Sequence, residues 1–258
     1  MTEVEALNGV HILFFDMSVK IVKEWDQAFK KYIPERLRPQ LTTLRSALDQ
    51  LPAEHVKFDC IVSPANSYGR LDGRYDSSNN IELELTYWKT SFDYFLAKTL
   101  APAGGDIAIP TRIAQATLYE RWRGFAPPGT CTLVPLDGTE CEKNQHDCHF
   151  IALCPTMRTP DSVKWDHEVV YECMWSLLVT IDNHNAAAST SGQPRISKVA
   201  ITGLATGVGG VSAEKCAAQM ALAVKHYEEA VSNREKWSQL TWSNIYASSS
   251  EVVDTRSL

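Results

Sequence analysis

Val10-His11-Ile12-Leu13-Phe14-Phe15 is an apolar run that stops at Asp16, and Ile21, Val22, Trp25, Ala28, Phe29 and Tyr32 then recur at helical spacing. This reads as a buried strand, a loop and an amphipathic helix, the helix ending near Pro34 because proline holds its predecessor extended. A second, short helix is expected over Thr42 to Leu51, stopped by Pro52. Val56 to Ser63 is the next strand and runs into Pro64-Ala65-Asn66-Ser67-Tyr68-Gly69-Arg70-Leu71-Asp72-Gly73, where proline, asparagine and glycine cluster as in a shaped loop. Further short strands are expected at Asp106 to Pro110, Cys131 to Leu136, Phe150 to Cys154 and Ser197 to Thr202. Val169, Val170, Cys173, Met174, Leu177, Leu178 and Ile181 line one helical face, and Cys216, Met220, Ala221, Val224, Tyr227 and Val231 line another. Strands mixed with helices around one core make an α/β domain.

The 258 residues provide for one large core. With 44% apolar and 22% charged residues, the composition excludes collagen-like, coiled-coil and wholly disordered chains. The net charge of −6, with no long basic run, argues against a sequence-independent grip on nucleic acid. No apolar stretch approaches the roughly 18 residues of a membrane span, so the chain reads as soluble with no membrane partner. Glu3 and Glu5 stand where an export signal would be basic, and no strong import cluster is visible; the expectation is cytoplasmic, nuclear or both. Seven scattered cysteines, several in apolar company, read mostly as reduced and buried.

Residues 1–246 are read as a single domain. Within it, the alternation of Ile81, Leu83, Leu85 and Tyr87 marks an exposed strand inside an insertion at 77–93. The small, polar stretch 184–195 reads as a mobile loop, and 247–258 as a flexible C-terminal tail.

Two loops concentrate the chemistry. The first follows the strand ending at Ser63. The second, Gly203-Leu204-Ala205-Thr206-Gly207-Val208-Gly209-Gly210, opens onto a helix starting near Ser212. Glycines let backbone amides converge on a ligand and a helix N-terminus adds partial positive charge, a combination suited to a phosphate or diphosphate. Neither the GxxxxGK[ST] nor the GxGxxG signature is present, so P-loop kinase and dinucleotide dehydrogenase readings fall away.

The pattern IVSPANSYG-x-LDG-x-YD, followed far downstream by LATGVGG and an alanine-rich helix, resembles the macrodomain proteins over most of the chain. The resemblance implies a three-layer α/β/α fold with a mixed central sheet, here carrying insertions. It also implies an ADP-ribose site. Asp16 falls where the family reads adenine, with Met17 beside it, and Asn66 matches the second asparagine of the N-A-A-N motif that contacts the distal ribose, with Ala65 preceding it. Gly73, Arg74 and Tyr75 match the first glycine loop, and Ala205, Thr206, Gly207, Val208, Gly209, Gly210 and Val211 match the second. Asp76 resembles an aspartate implicated in water activation. Gly105 to Thr111 resembles an internal family strand, and IALCPTMRTP the next core strand. The segments SPANS and ATGVGG are most similar to a group of fungal macrodomain-like proteins associated with processing of ADP-ribose 1''-phosphate.

Each of these residues also has a plainer reading. Asp16 could cap the following helix, Asn66 could shape a turn, and Asp72 and Asp76 could be solvated loop carboxylates. Cys141, His146, Cys148 and His149 have metal-ligand types without the paired C-x2-C spacing of common zinc sites, and no metal or other cofactor is assigned. The resemblance therefore implies binding of ADP-ribose or ADP-ribose 1''-phosphate, or of an ADP-ribosylated protein. It further implies a hydrolase acting at the distal ribose through Asn66 and Asp76, as a phosphatase or a mono-ADP-ribosyl hydrolase. The alternative is a non-catalytic ADP-ribose reader, favoured by Arg74 where hydrolytic members keep glycine and by Gly209 in place of a shielding aromatic.

Overall fold

Alternate residues of β1 (His11–Asp16) point into different layers, which is how a strand buried on both faces joins two cores. Ile12 and Phe14 enter one core with Trp25 and Phe29 of α1 (Val19–Tyr32), and Leu13 and Phe15 enter the other. The computed structural model describes residues 6–64, 66–71 and 91–258. Its other strands are β2 (Leu41–Arg45), β3 (Cys60–Ser63), β4 (Thr132–Pro135), β5 (Phe150–Leu153) and β6 (Lys198–Ile201). They form one sheet in the order β2-β1-β6-β3-β5-β4, parallel except for the β4–β5 pair. Helices α2 (Phe92–Leu100) and α3 (Ile109–Trp122) cover the Leu13 face, and α4 (Val169–Ser191) and α5 (Ala213–Ser232) join α1 on the Ile12 face. The fold is thus a mixed three-layer α/β/α sandwich, as expected. Among the described residues no helix is long and apolar enough to cross a membrane.

Several local expectations are corrected. Residues 42–51 are not a helix: Thr42 and Thr43, β-branched and suited to a pleat, pair with Leu13 and Phe14 in parallel, and only a short 3-10 turn follows at Leu48–Gln50. The expected strand at 106–110 is the entry to α3. Asp106 accepts hydrogen bonds from the Ala108 and Ile109 amides, and Pro110 sits at the helix start, where its missing N–H costs nothing. The strand expected from Val56 begins at Cys60.

The stretch 184–195 is helical as far as Ser191. Its alanines continue α4, Gly192 ends the helix with φ +71°, and Asn185 holds the returning chain through both the amide and the carbonyl of Ile196. Residues 247–258 belong to α7 (Trp242–Val253) and a closing 3-10 turn, with Val252 and Thr255 buried and Thr255 bonded to Gln219 of α5. A five-residue helix, α6 (Arg234–Ser238), links α5 to α7. The segment read as an insertion, 77–93, lies outside the described residues up to 90, and Phe92 and Asp93 begin α2.

Candidate functional site

Because β1, β6 and β3 are mutually parallel, their carboxyl ends share one edge of the sheet. From β6 the chain passes into α5 on the Ile12 face, whereas the next described helix after β3 is α2 on the opposite face. Connections that leave neighbouring strands toward opposite faces open a crevice between them, the usual ligand position in an open α/β sheet. Asp16, the loop after β3 and the glycine loop after β6 all emerge at this edge.

Asp16 closes β1. Its Oδ2 accepts the Thr202 hydroxyl at 2.8 Å and the Gly203 amide at 3.4 Å, and its Oδ1 accepts the Ser18 amide at 2.8 Å. One carboxylate therefore joins the end of β1 to the start of the glycine loop, while also turning the chain into α1. The capping and site readings are compatible, since Oδ1 retains a lone pair for a further donor. Met17, beside it, is 67% exposed.

The loop itself is closed by Val211 N–H donating to Ala205 O and Gly210 N–H donating to Gly207 O, with Ala205 at φ +57° and Gly210 at φ +70°. The amides of Ala205, Gly207, Val208 and Gly209 donate to no other group among the described residues, while Thr206 closes a turn on Gly203. Gly209 is required by space: a Cβ there would lie 2.7 Å from Ala205 O and 3.0 Å from a Val163 methyl. Ser212 then caps α5 by accepting the Lys215 amide, so the loop delivers the chain directly onto a helix N-terminus.

Two contributors had no signal in the sequence. The Val163 amide donates to Gly209 O at 2.9 Å and braces the loop from the segment that follows β5. The neighbouring Lys164 lies over Gly210, where a Cβ would meet its Cε at 2.8 Å; it forms no ion pair among the described residues and brings a cation to the loop. Nothing in the spacing between residues 163 and 209 announces this contact, because it is made by chain segments separated by α4 and β6.

Asn66 is placed differently. Its Oδ1 accepts the Tyr68 and Arg70 amides and its Nδ2 donates to Arg70 O at 2.9 Å, so its side chain organises its own turn. The turn is anchored by a parallel bridge from Asn66 to Met157 and by Ser67 bonding Met157 O. Ala65, Gly73, Arg74, Tyr75 and Asp76, all assigned to the site by the resemblance, lie outside the described residues.

The Cys141–His149 cluster is built into the scaffold. His146 Nδ1 bonds Val56 O, His149 bonds Asp137, and the Cys148 thiol donates to Phe150 O. Burial pushes the Cys148 thiol up to about 12 and Cys141 to about 11. All seven cysteines are free thiols, and only Cys131 is not buried. Among the described residues no three histidine, cysteine or acidic side chains converge as metal ligands. No protein-family model matches the chain, and no curated protein sequence matches it.

Proposed function

We propose that the protein binds ADP-ribose or a derivative of it at the carboxyl edge of β1, β6 and β3. The observation that carries this reading is the juxtaposition of a fixed carboxylate, Asp16, with the amides of Ala205, Gly207, Val208 and Gly209, which have no acceptor among the described residues. A carboxylate suits the exocyclic amine of adenine, and a bent run of amides at a helix N-terminus suits a diphosphate. Lys164 adds the positive charge that such an anion would offset. The reading extends to hydrolysis at the distal ribose. In that step water replaces either the 1''-phosphate, released as inorganic phosphate, or a protein carboxylate ester, released as the free acid. Asp76 is assigned to the water, and orientation and electrostatics would supply the rate gain.

One observation favours the second reading, a binder without turnover: the Asn66 side chain is engaged on both its oxygen and its nitrogen within its own turn. Calorimetric titration with ADP-ribose, with AMP and NAD as controls and Asp16→Ala alongside, tests the site. Saturable binding lost in Asp16→Ala is the expected result, and absence of binding by the unaltered protein overturns the assignment. If binding is present, release of phosphate from ADP-ribose 1''-phosphate, or of ADP-ribose from a modified protein, separates enzyme from reader. Asp76→Ala abolishes turnover and spares binding in the first case only.

A further inference from the structure

Away from the glycine loop, a groove of about 420 Å³ opens between the first turns of α4, the Pro128–Thr130 segment and the C-terminal helices α6 and α7. Its lining includes Tyr171, Glu172 and Trp175 of α4, Trp237 of α6, Ser249 of α7 and Gly129. This volume lies in the range of small-molecule pockets. None of the residues assigned to ADP-ribose lines it.

The groove is aromatic and the aromatics are held in place. Tyr171 stacks on Trp175 at 6.2 Å and 24°, and Trp175 stacks on Trp237 at 5.6 Å and 26°, so the three rings brace one another in sequence. The Tyr171 hydroxyl is paired with His226 Nδ1 at 3.0 Å, and His226, almost fully buried, is paired in turn with Glu251, which also takes Lys225. This chain ties up the hydroxyl, so Tyr171 meets the groove with its ring and not with a free oxygen. Among the described residues no lysine or arginine stacks on these rings.

Two polar groups in the groove lack partners among the described residues. The Trp237 indole Nε1 is buried without an acceptor. The Glu172 carboxylate has neither a hydrogen bond nor an ion pair, whereas its neighbour Glu168 is paired with Arg256. Gly129, at φ +83°, makes room for Glu172: a Cβ there would stand 2.6 Å from Oε2. Glu172 is exposed to solvent on the groove wall, and desolvation there, then Asp166 and Glu168, push its carboxyl up.

We infer that this groove binds a small organic cation, an alkylammonium group. The cation would lie against the Tyr171, Trp175 and Trp237 side chains, its charge facing Glu172. Ring quadrupoles attract a cation, and a bulky ammonium sheds its water more readily than a metal ion does, so an aromatic surface with one free carboxylate selects this class. The inference does not depend on the ADP-ribose reading.

The test is titration of the isotope-labelled full chain with choline and with trimethyllysine amide, following the indole N–H resonances by NMR. The matched controls are their neutral isosteres, in which carbon replaces the quaternary nitrogen. Saturable shifts of the Trp175 and Trp237 resonances, identified with Trp175→Phe and Trp237→Phe, are expected for at least one cation. Its neutral isostere should bind about tenfold more weakly, and Glu172→Gln should reduce that preference to what the rings alone supply while Glu172→Asp keeps more of it. Which cation binds tells a free metabolite from a modified side chain. Binding of neither cation, equal binding of cation and isostere, or an unchanged preference in a folded Glu172→Gln protein overturns the inference.

Discussion

The glycine loop at Ala205–Val211 and the aromatic groove around Trp175 are made of opposite materials. In the loop the functional groups are backbone amides, the shape is set by Gly209 and Gly210, and a single carboxylate from β1 ties the loop to the sheet. In the groove the functional groups are side chains from three helices, and the backbone beneath them is ordinary α-helix. A backbone site fails when a side chain is added to it; a side-chain site fails when one is taken away.

Gly209→Val tests the loop most severely. Its added atoms would collide with Ala205 O, the Ala205 Cβ and Val163, and the loop can accommodate them only by releasing the Val163 brace. A loss of about 3 kcal/mol in urea denaturation is expected, together with loss of ADP-ribose binding. A fully stable variant would show that the loop is not held by this contact.

Asp16→Ala comes next. It leaves the Thr202 hydroxyl and the Gly203 amide without their acceptor, for about 1–2 kcal/mol of stability, and Asp16→Asn, which keeps an acceptor oxygen, should lose less. Equal losses in the two variants would mean that charge, and not hydrogen bonding, joins β1 to the loop.

A smaller effect falls on the groove. Burial holds His226 below its ordinary value of 6.5, more than offsetting Glu251, so near that value the unfolded chain takes up the proton first. The stabilisation from neutral His226 is complete above pH 6.5 and is lost as pH falls from there toward the lower folded value. His11 and His146, also lowered chiefly by burial, act in the same sense. Thermal melting between pH 7.5 and about 5.5 should therefore show declining stability, with a shallower slope in His226→Gln. An unchanged slope would place the acid sensitivity away from the groove. The smallest effect is expected at Gly207, where an added Cβ meets nothing within 4 Å: Gly207→Ala should change stability by less than about 0.5 kcal/mol.

The amino-acid sequence by itself determined the elements whose pattern is local and dense. The run Ile12 to Phe15, the period of Ile21, Trp25 and Phe29, the strands at Phe150 and Lys198, and the glycine loop with Ser212 at the head of α5 are found where their residues predict them. These segments carry their reason within a few residues, as apolar alternation, helical spacing or backbone freedom. Tertiary structure decided the segments whose local signals are weak or divided. Leu41–Arg45 is a strand because β1 offers it an edge, Ala186–Ser191 is helix because Asn185 pins the return of the chain, and the polar C-terminus is helix because Val252 and Thr255 find burial against α5. The same holds for function. Asp16 and the glycine loop could be singled out one at a time, but their contact, the cation of Lys164 above Gly210 and the stacking of Trp237 on Trp175 join residues that no spacing along the chain relates. The pairing of β1 with β6 brings Asp16 to the glycine loop, and the packing of the C-terminal helices against α4 brings Trp237 to Trp175.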